Sequence, residues 1–65
     1  MFGSTTRVKL DKGLVDTARR YAQLAGYATV EEFITHALEK ELAKLEDADS
    51  EEEIVRRLQG LGYIR

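Results

Sequence analysis

The chain lacks cysteine, proline and tryptophan, and its one histidine is His36. Without cysteine it forms no disulfide and offers no thiolate to a metal. A single histidine also excludes a site built from several histidines of one chain. We therefore expect His36 to be an ordinary side chain at the flank of a helix, and we expect no metal and no cofactor.

Long apolar runs are missing as well. No stretch approaches the roughly 18 apolar residues that cross a membrane, and the N-terminal residues lack the apolar core of a signal peptide. We expect a cytoplasmic protein with no membrane partner, which the absence of cysteine also suits. No nucleophile lies near a base, and no carboxylate constellation or phosphate loop is present, so the sequence does not predict an enzyme.

With 65 residues, the chain is at most one small domain. A core of this size seldom supplies enough stability alone, and such folds use disulfides, metals or partner chains. With the first two excluded, association becomes the leading expectation, and we expect a homodimer.

The charges are unevenly distributed, although the net charge is only −2. Residues 1–20 carry five basic and two acidic side chains, a net charge of +3, whereas residues 21–65 have a net charge of −5. A dimer that joined two N-terminal segments would present +6 at one end. An acidic protein with this asymmetry can bind a polyanion locally.

Val8 and Leu10 alternate with Arg7 and Lys9, the period of a half-buried strand. This is the only strand candidate, and a lone strand leaves its backbone groups unpaired. We expect it to pair with the same strand of a second copy.

The sequence predicts three helices after this segment. Asp11 can cap a helix over 12–25, which Gly26 ends. The capping box at Thr29 begins a second helix over 30–46, the predicted centre of the core. After the acidic break at 46–49, the capping box at Ser50 predicts a third helix over 51–59, which Gly60 would end.

A strand, a helix, a glycine turn and a capped helix in this order resemble the ribbon-helix-helix family of Arc, MetJ and CopG. The resemblance covers about residues 5–45, and its most telling stretch is 25–34, with the sequence AGYATVEEFI. It implies a mostly α fold in which two N-terminal strands form an antiparallel ribbon between chains. Residues 1–46 would form the dimerisation and DNA-binding domain, and residues 47–65 the acidic break and an amphipathic C-terminal helix.

The resemblance also implies a function, sequence-specific binding of double-stranded DNA by a transcriptional repressor or autoregulator. The outward side chains of the ribbon, Thr5, Arg7 and Lys9, would contact base edges in the major groove. Ala28 and Thr29 would offer backbone N–H groups to phosphate at the start of the second helix. The alternative for the three ribbon residues is a solvated strand face that blocks aggregation.

The predicted dimer core combines the apolar residues of the strand and of both core helices. Its members are Val8, Leu10, Leu14, Tyr21, Val30, Phe33, Ile34, Ala37, Leu38 and Leu42.

The C-terminal helix admits more than one role. Its apolar face consists of Ile54, Val55, Leu58 and Leu61. This face could pack on the dimer, join dimers into a higher oligomer, or bind another protein, as the tail of an antitoxin binds its toxin. A protein-interaction module that acts through this helix, with little or no DNA binding, is therefore the alternative function.

Overall fold

The computed structural model describes residues 4–65 as three helices joined by short turns. Helix α1 spans Lys12–Ala25, α2 spans Val30–Glu46 and α3 spans Glu51–Gly60. The chain divides into two compact units, the first up to Phe33 and the second from Ile34 to Arg65. The mostly α character and the bounds of α1 and α2 confirm the sequence prediction, and α3 ends one residue later than predicted.

The predicted N-terminal strand is wrong. Residues 4–10 adopt neither helix nor strand, and no β-strand occurs within residues 4–65. The ribbon-helix-helix fold is therefore corrected to three helices. The physical reason is that the alternation of Val8 and Leu10 extends over only four residues, and no other segment within residues 4–65 supplies a strand for it to pair with.

Side chains at the helix starts explain where α1 and α3 begin. The Asp11 side chain accepts a hydrogen bond from the Leu14 amide at 3.1 Å. The Ser50 hydroxyl accepts from the Glu53 amide at 3.2 Å. Each bond satisfies a backbone N–H that has no partner inside its helix.

Helices α1 and α3 end in the same way, with a glycine followed by a tyrosine. Gly26 and Gly62 have φ of 88° and 89°, the left-handed region that costs glycine little. The amides of Tyr27 and Tyr63 each donate to the carbonyl five residues back, at 2.9 Å. These bonds form Schellman motifs. The left-handed glycine that follows α3 is thus Gly62 and not the predicted Gly60.

Burial within one chain is very limited. Ala22 is the only buried hydrophobic residue among residues 4–65. Of the ten predicted core residues, Val30, Phe33 and Ile34 are half-buried and the others are exposed. The predicted dimer core is therefore not formed by one chain alone, and its formation by two chains stays a prediction.

Candidate nucleic-acid interface

The basic segment over residues 4–10 precedes the Asp11 cap and is exposed throughout. It contains all three predicted base-contacting residues, Thr5, Arg7 and Lys9. Within the described part of the chain, neither Arg7 nor Lys9 forms a salt bridge. Their charges are consequently available to an external anion.

The charges at the start of α1 are arranged differently. Asp16 accepts from Lys12 at 3.1 Å and from Arg19 at 3.2 Å, so the three side chains together keep a single positive charge. Arg20 is exposed and belongs to none of the salt bridges formed within residues 4–65. Among residues 4–33, the cations without a salt bridge are therefore Arg7, Lys9 and Arg20.

The turn between α1 and α2 is fixed by an aromatic contact and a capping box. The rings of Tyr27 and Phe33 pack edge to face, with centroids 5.4 Å apart. The Thr29 hydroxyl accepts from the Glu32 amide at 3.1 Å, while the Thr29 amide donates to the Glu32 carboxylate at 3.2 Å. The sequence predicted this reciprocal pair, and the structure confirms it.

The same capping box changes the expectation for phosphate binding. Ala28 and Thr29 line an open pocket of about 280 Å³, together with Arg19 and Gln23 of α1. The Thr29 amide, one of the two predicted phosphate donors, already has the Glu32 carboxylate as its acceptor. Glu31 also lines the pocket, and its negative charge would repel phosphate. The turn is thus better suited to starting α2 than to holding an anion.

The predicted partner-binding face on α3 lies partly inside the second unit. Ile54 and Leu58 are half-buried, whereas Val55 and Leu61 are exposed. The four residues of the predicted face therefore differ in exposure, and Leu61 lies after the last residue of α3.

Arg57 connects α3 to the end of α2. Its guanidinium donates to the Asp47 carboxylate, to the Lys44 carbonyl at 3.0 Å and to Glu53 at 3.2 Å. The hydrogen bond from Arg57 lowers the pKa of Asp47 below its ordinary value. The pair with Glu53 has the i,i+4 spacing that the sequence shows, whereas the bonds to Asp47 and to a carbonyl in the last turn of α2 were not revealed by sequence position.

Tyr63 provides a second connection within this unit. Its hydroxyl donates to Glu41 at 2.6 Å, and Lys44 approaches the same carboxylate at 2.6 Å. Hydrogen bonds from Lys44 and then Tyr63 lower the pKa of Glu41, and the bond to Glu41 raises the pKa of Tyr63. Tyr63 also borders an open apolar groove of about 190 Å³, whose other apolar walls are Leu38, Leu42, Leu45 and Leu58.

Residues 4–65 contain no group of three or more histidine, aspartate or glutamate side chains placed to hold a metal ion. None of the helices within this range has the length and apolar content that crossing a bilayer requires.

Comparison with known proteins returned no match to a family model, to a curated protein or to a solved structure.

Proposed function

We propose that this protein is a homodimeric, sequence-specific DNA-binding regulator of transcription that contacts DNA with its basic N-terminal segment. The observation that supports this most is the state of Arg7 and Lys9, which are exposed and form no salt bridge within residues 4–65. Exposed cations without internal partners can release counterions from DNA, and this release drives protein–DNA association.

The binding mode differs from the one the family resemblance implied, because no ribbon is part of it. An extended arm that precedes a helix can enter a groove of DNA and contact base edges there. In this mode Arg7 donates to an acceptor on a base or a phosphate, and Lys9 does the same two residues on. Thr5 can donate or accept a hydrogen bond at the outer end of the arm.

Exposed apolar surface supports the homodimer in this proposal. One chain leaves many of its large apolar side chains exposed and buries only Ala22 among the described residues. A second copy would cover part of this surface and would place two arms on one duplex. Two arms bind more tightly than one because the second contact is intramolecular. The proposed protein needs no cofactor and acts in the cytoplasm.

The test is fluorescence anisotropy with labelled duplex DNA from upstream of the protein's own gene, and with a scrambled duplex of the same composition. The variant Arg7→Ala/Lys9→Ala removes the two arm cations. The matched control is Lys40→Ala/Arg65→Ala, which also removes one lysine and one arginine, both exposed and outside the salt bridges of the described chain.

We expect wild type and control to prefer the upstream duplex and the arm variant to lose that preference. The slope of log K against log salt should decrease in magnitude by about 2 per chain when two phosphate contacts are lost. Equal binding by the arm variant and the control would contradict the proposal.

A second candidate function is a protein-interaction module, of the kind found in antitoxins. The exposure of Val55 on α3 and of Leu61 directly after it favours this candidate, because exposed apolar side chains at a helix can enter the groove of a partner. The two candidates are separated by the variant Val55→Ser/Leu61→Ser. Loss of a protein partner with unchanged DNA binding would support the second candidate.

A further inference from the structure

Helix α1 has two apolar faces, and the larger side chains lie on the more exposed one. Ala22 is buried, and Val15 and Ala18 beside it are half-buried, so the small side chains form the inner face. The outer face consists of larger residues with large exposed fractions, namely Leu14 at 59%, Tyr21 at 53% and Leu24 at 74%. This distribution is the reverse of that in a helix whose packing is complete.

The outer residues have the spacing of a helix–helix seam. Leu14, Thr17, Tyr21 and Leu24 follow one another at intervals of three, four and three residues, the pattern of coiled-coil contact positions. We call these four residues the α1 seam. Thr17 suits it because its hydroxyl already donates to the Gly13 carbonyl at 3.0 Å. Its methyl group can then face a partner without leaving a polar group unsatisfied.

We propose that the α1 seam binds the α1 seam of a second copy in the antiparallel direction. With a twofold axis midway between Thr17 and Tyr21, Leu14 of one copy lies opposite Leu24 of the other. The large Tyr21 side chain of one copy then lies opposite Thr17 of the other, and it occupies the space that the smaller threonine leaves. In a parallel pair the two Tyr21 side chains would face each other and would be overpacked. The two Thr17 side chains would also face each other and would leave a gap. Antiparallel helix dipoles also attract each other.

The surface area is sufficient for such a contact. The protein exposes 5862 Å², whereas a folded monomer of 7.4 kDa typically exposes about 4,200 Å². The excess of roughly 1,700 Å² is about twice what one partner loses in an interface of standard size. One chain therefore leaves more surface uncovered than an interface of standard size needs, and Leu14, Tyr21 and Leu24 of the seam are among its exposed apolar side chains.

The charges around the seam permit two copies to approach. Three of its four flanking positions are the small, uncharged residues Gly13, Ala18 and Ala25. The fourth is Arg20, which is exposed and whose long side chain can extend into solvent. The salt bridges of Asp16 involve Lys12 and Arg19, which lie outside both the seam and these flanking positions. No unpaired charge would therefore be buried by the pairing.

The first test is the molar mass by sedimentation equilibrium. Leu24→Glu places a charge in the seam at a side chain that one chain leaves 74% exposed, so helix content by circular dichroism should not change. Gln23→Glu is the control, because it adds the same charge to an exposed position of α1 outside the seam. We expect Leu24→Glu to halve the mass and Gln23→Glu to leave it unchanged. A monomeric wild type, or an unchanged mass for Leu24→Glu, would overturn the inference.

The second test determines the direction. The natural chain has no cysteine, so Leu14→Cys and Leu24→Cys variants can be mixed and oxidised without background. We expect a mixed disulfide between positions 14 and 24, and its absence, or a disulfide between two copies of Leu14→Cys, would overturn the antiparallel pairing. The inference rests on the self-association in the proposed function. The two can fail separately, because these readouts require no DNA.

Discussion

Two glycine-to-alanine substitutions should change stability in opposite directions. Gly26 has φ of 88°, whereas Gly60 is the last residue of α3 and does not have a positive φ. A Cβ added at either position would have no heavy atom within 4 Å, so collision does not contribute to either effect. The difference therefore isolates the backbone conformation.

The magnitudes follow from that conformation. Alanine in the left-handed region costs about 1–2 kcal/mol, so Gly26→Ala should lower the free energy of unfolding by this amount. Alanine in a helix is favoured over glycine by up to about 1 kcal/mol, so Gly60→Ala should raise it, by less than this at a helix end. Gly26→Asn should lose less than Gly26→Ala, because asparagine tolerates the left-handed region better.

The assay is urea unfolding followed by circular dichroism at 222 nm, at one fixed chain concentration because association adds to stability. A stabilised Gly26→Ala, or changes of the same sign for Gly26→Ala and Gly60→Ala, would refute the reasoning about the turns.

Further predictions concern the helix cap and the pH dependence. Thr29→Ala removes the hydroxyl that accepts from the Glu32 amide, and should cost about 1 kcal/mol in urea unfolding; no loss would show that the capping box is dispensable. The lowered pKa of Glu41 means that its bonds stabilise the fold above the ordinary value of 4.5 and are lost as the pH falls through the folded-state pKa. Thermal unfolding scans should therefore show a lower Tm at pH 3 than at pH 6, with a smaller difference in Glu41→Gln, and equal differences would contradict this role. The raised pKa of Tyr63 gives the opposite pH dependence of stability. Its contribution is present below the ordinary pKa of 10.0 and is lost as the pH rises through the folded-state pKa. Tyr63→Phe should be less sensitive to alkaline pH than wild type in the same scans, and an unchanged sensitivity would contradict the contact.

The helices could be predicted because their ends are encoded locally. Asp11, Thr29 and Ser50 each stand directly before an element and supply a side-chain acceptor to it. Gly26 at the left-handed position is likewise a local signal. These capping hydrogen bonds join residues only a few positions apart, and a local sequence pattern can therefore predict them.

The N-terminal segment could not be predicted in this way. The alternation around Val8 is compatible with a strand, but a strand also needs a partner, and the pattern contains no information about one. The Arg57 connection joins residues 10 and 13 positions apart, beyond the range of helical spacing. Leu24 was not among the predicted core residues, although its spacing of three residues from Tyr21 was visible in the sequence.

The most direct test of the proposed function is sedimentation velocity of a fluorescently labelled upstream duplex in the presence of the protein. Absorbance of the label reports only the DNA, so the mass added to it counts the chains bound. The account predicts a complex that contains two chains, or a multiple of two, and that is lost with Arg7→Ala/Lys9→Ala. A duplex that sediments as free DNA, or that carries a single chain, would contradict a homodimer that binds DNA through its N-terminal arms.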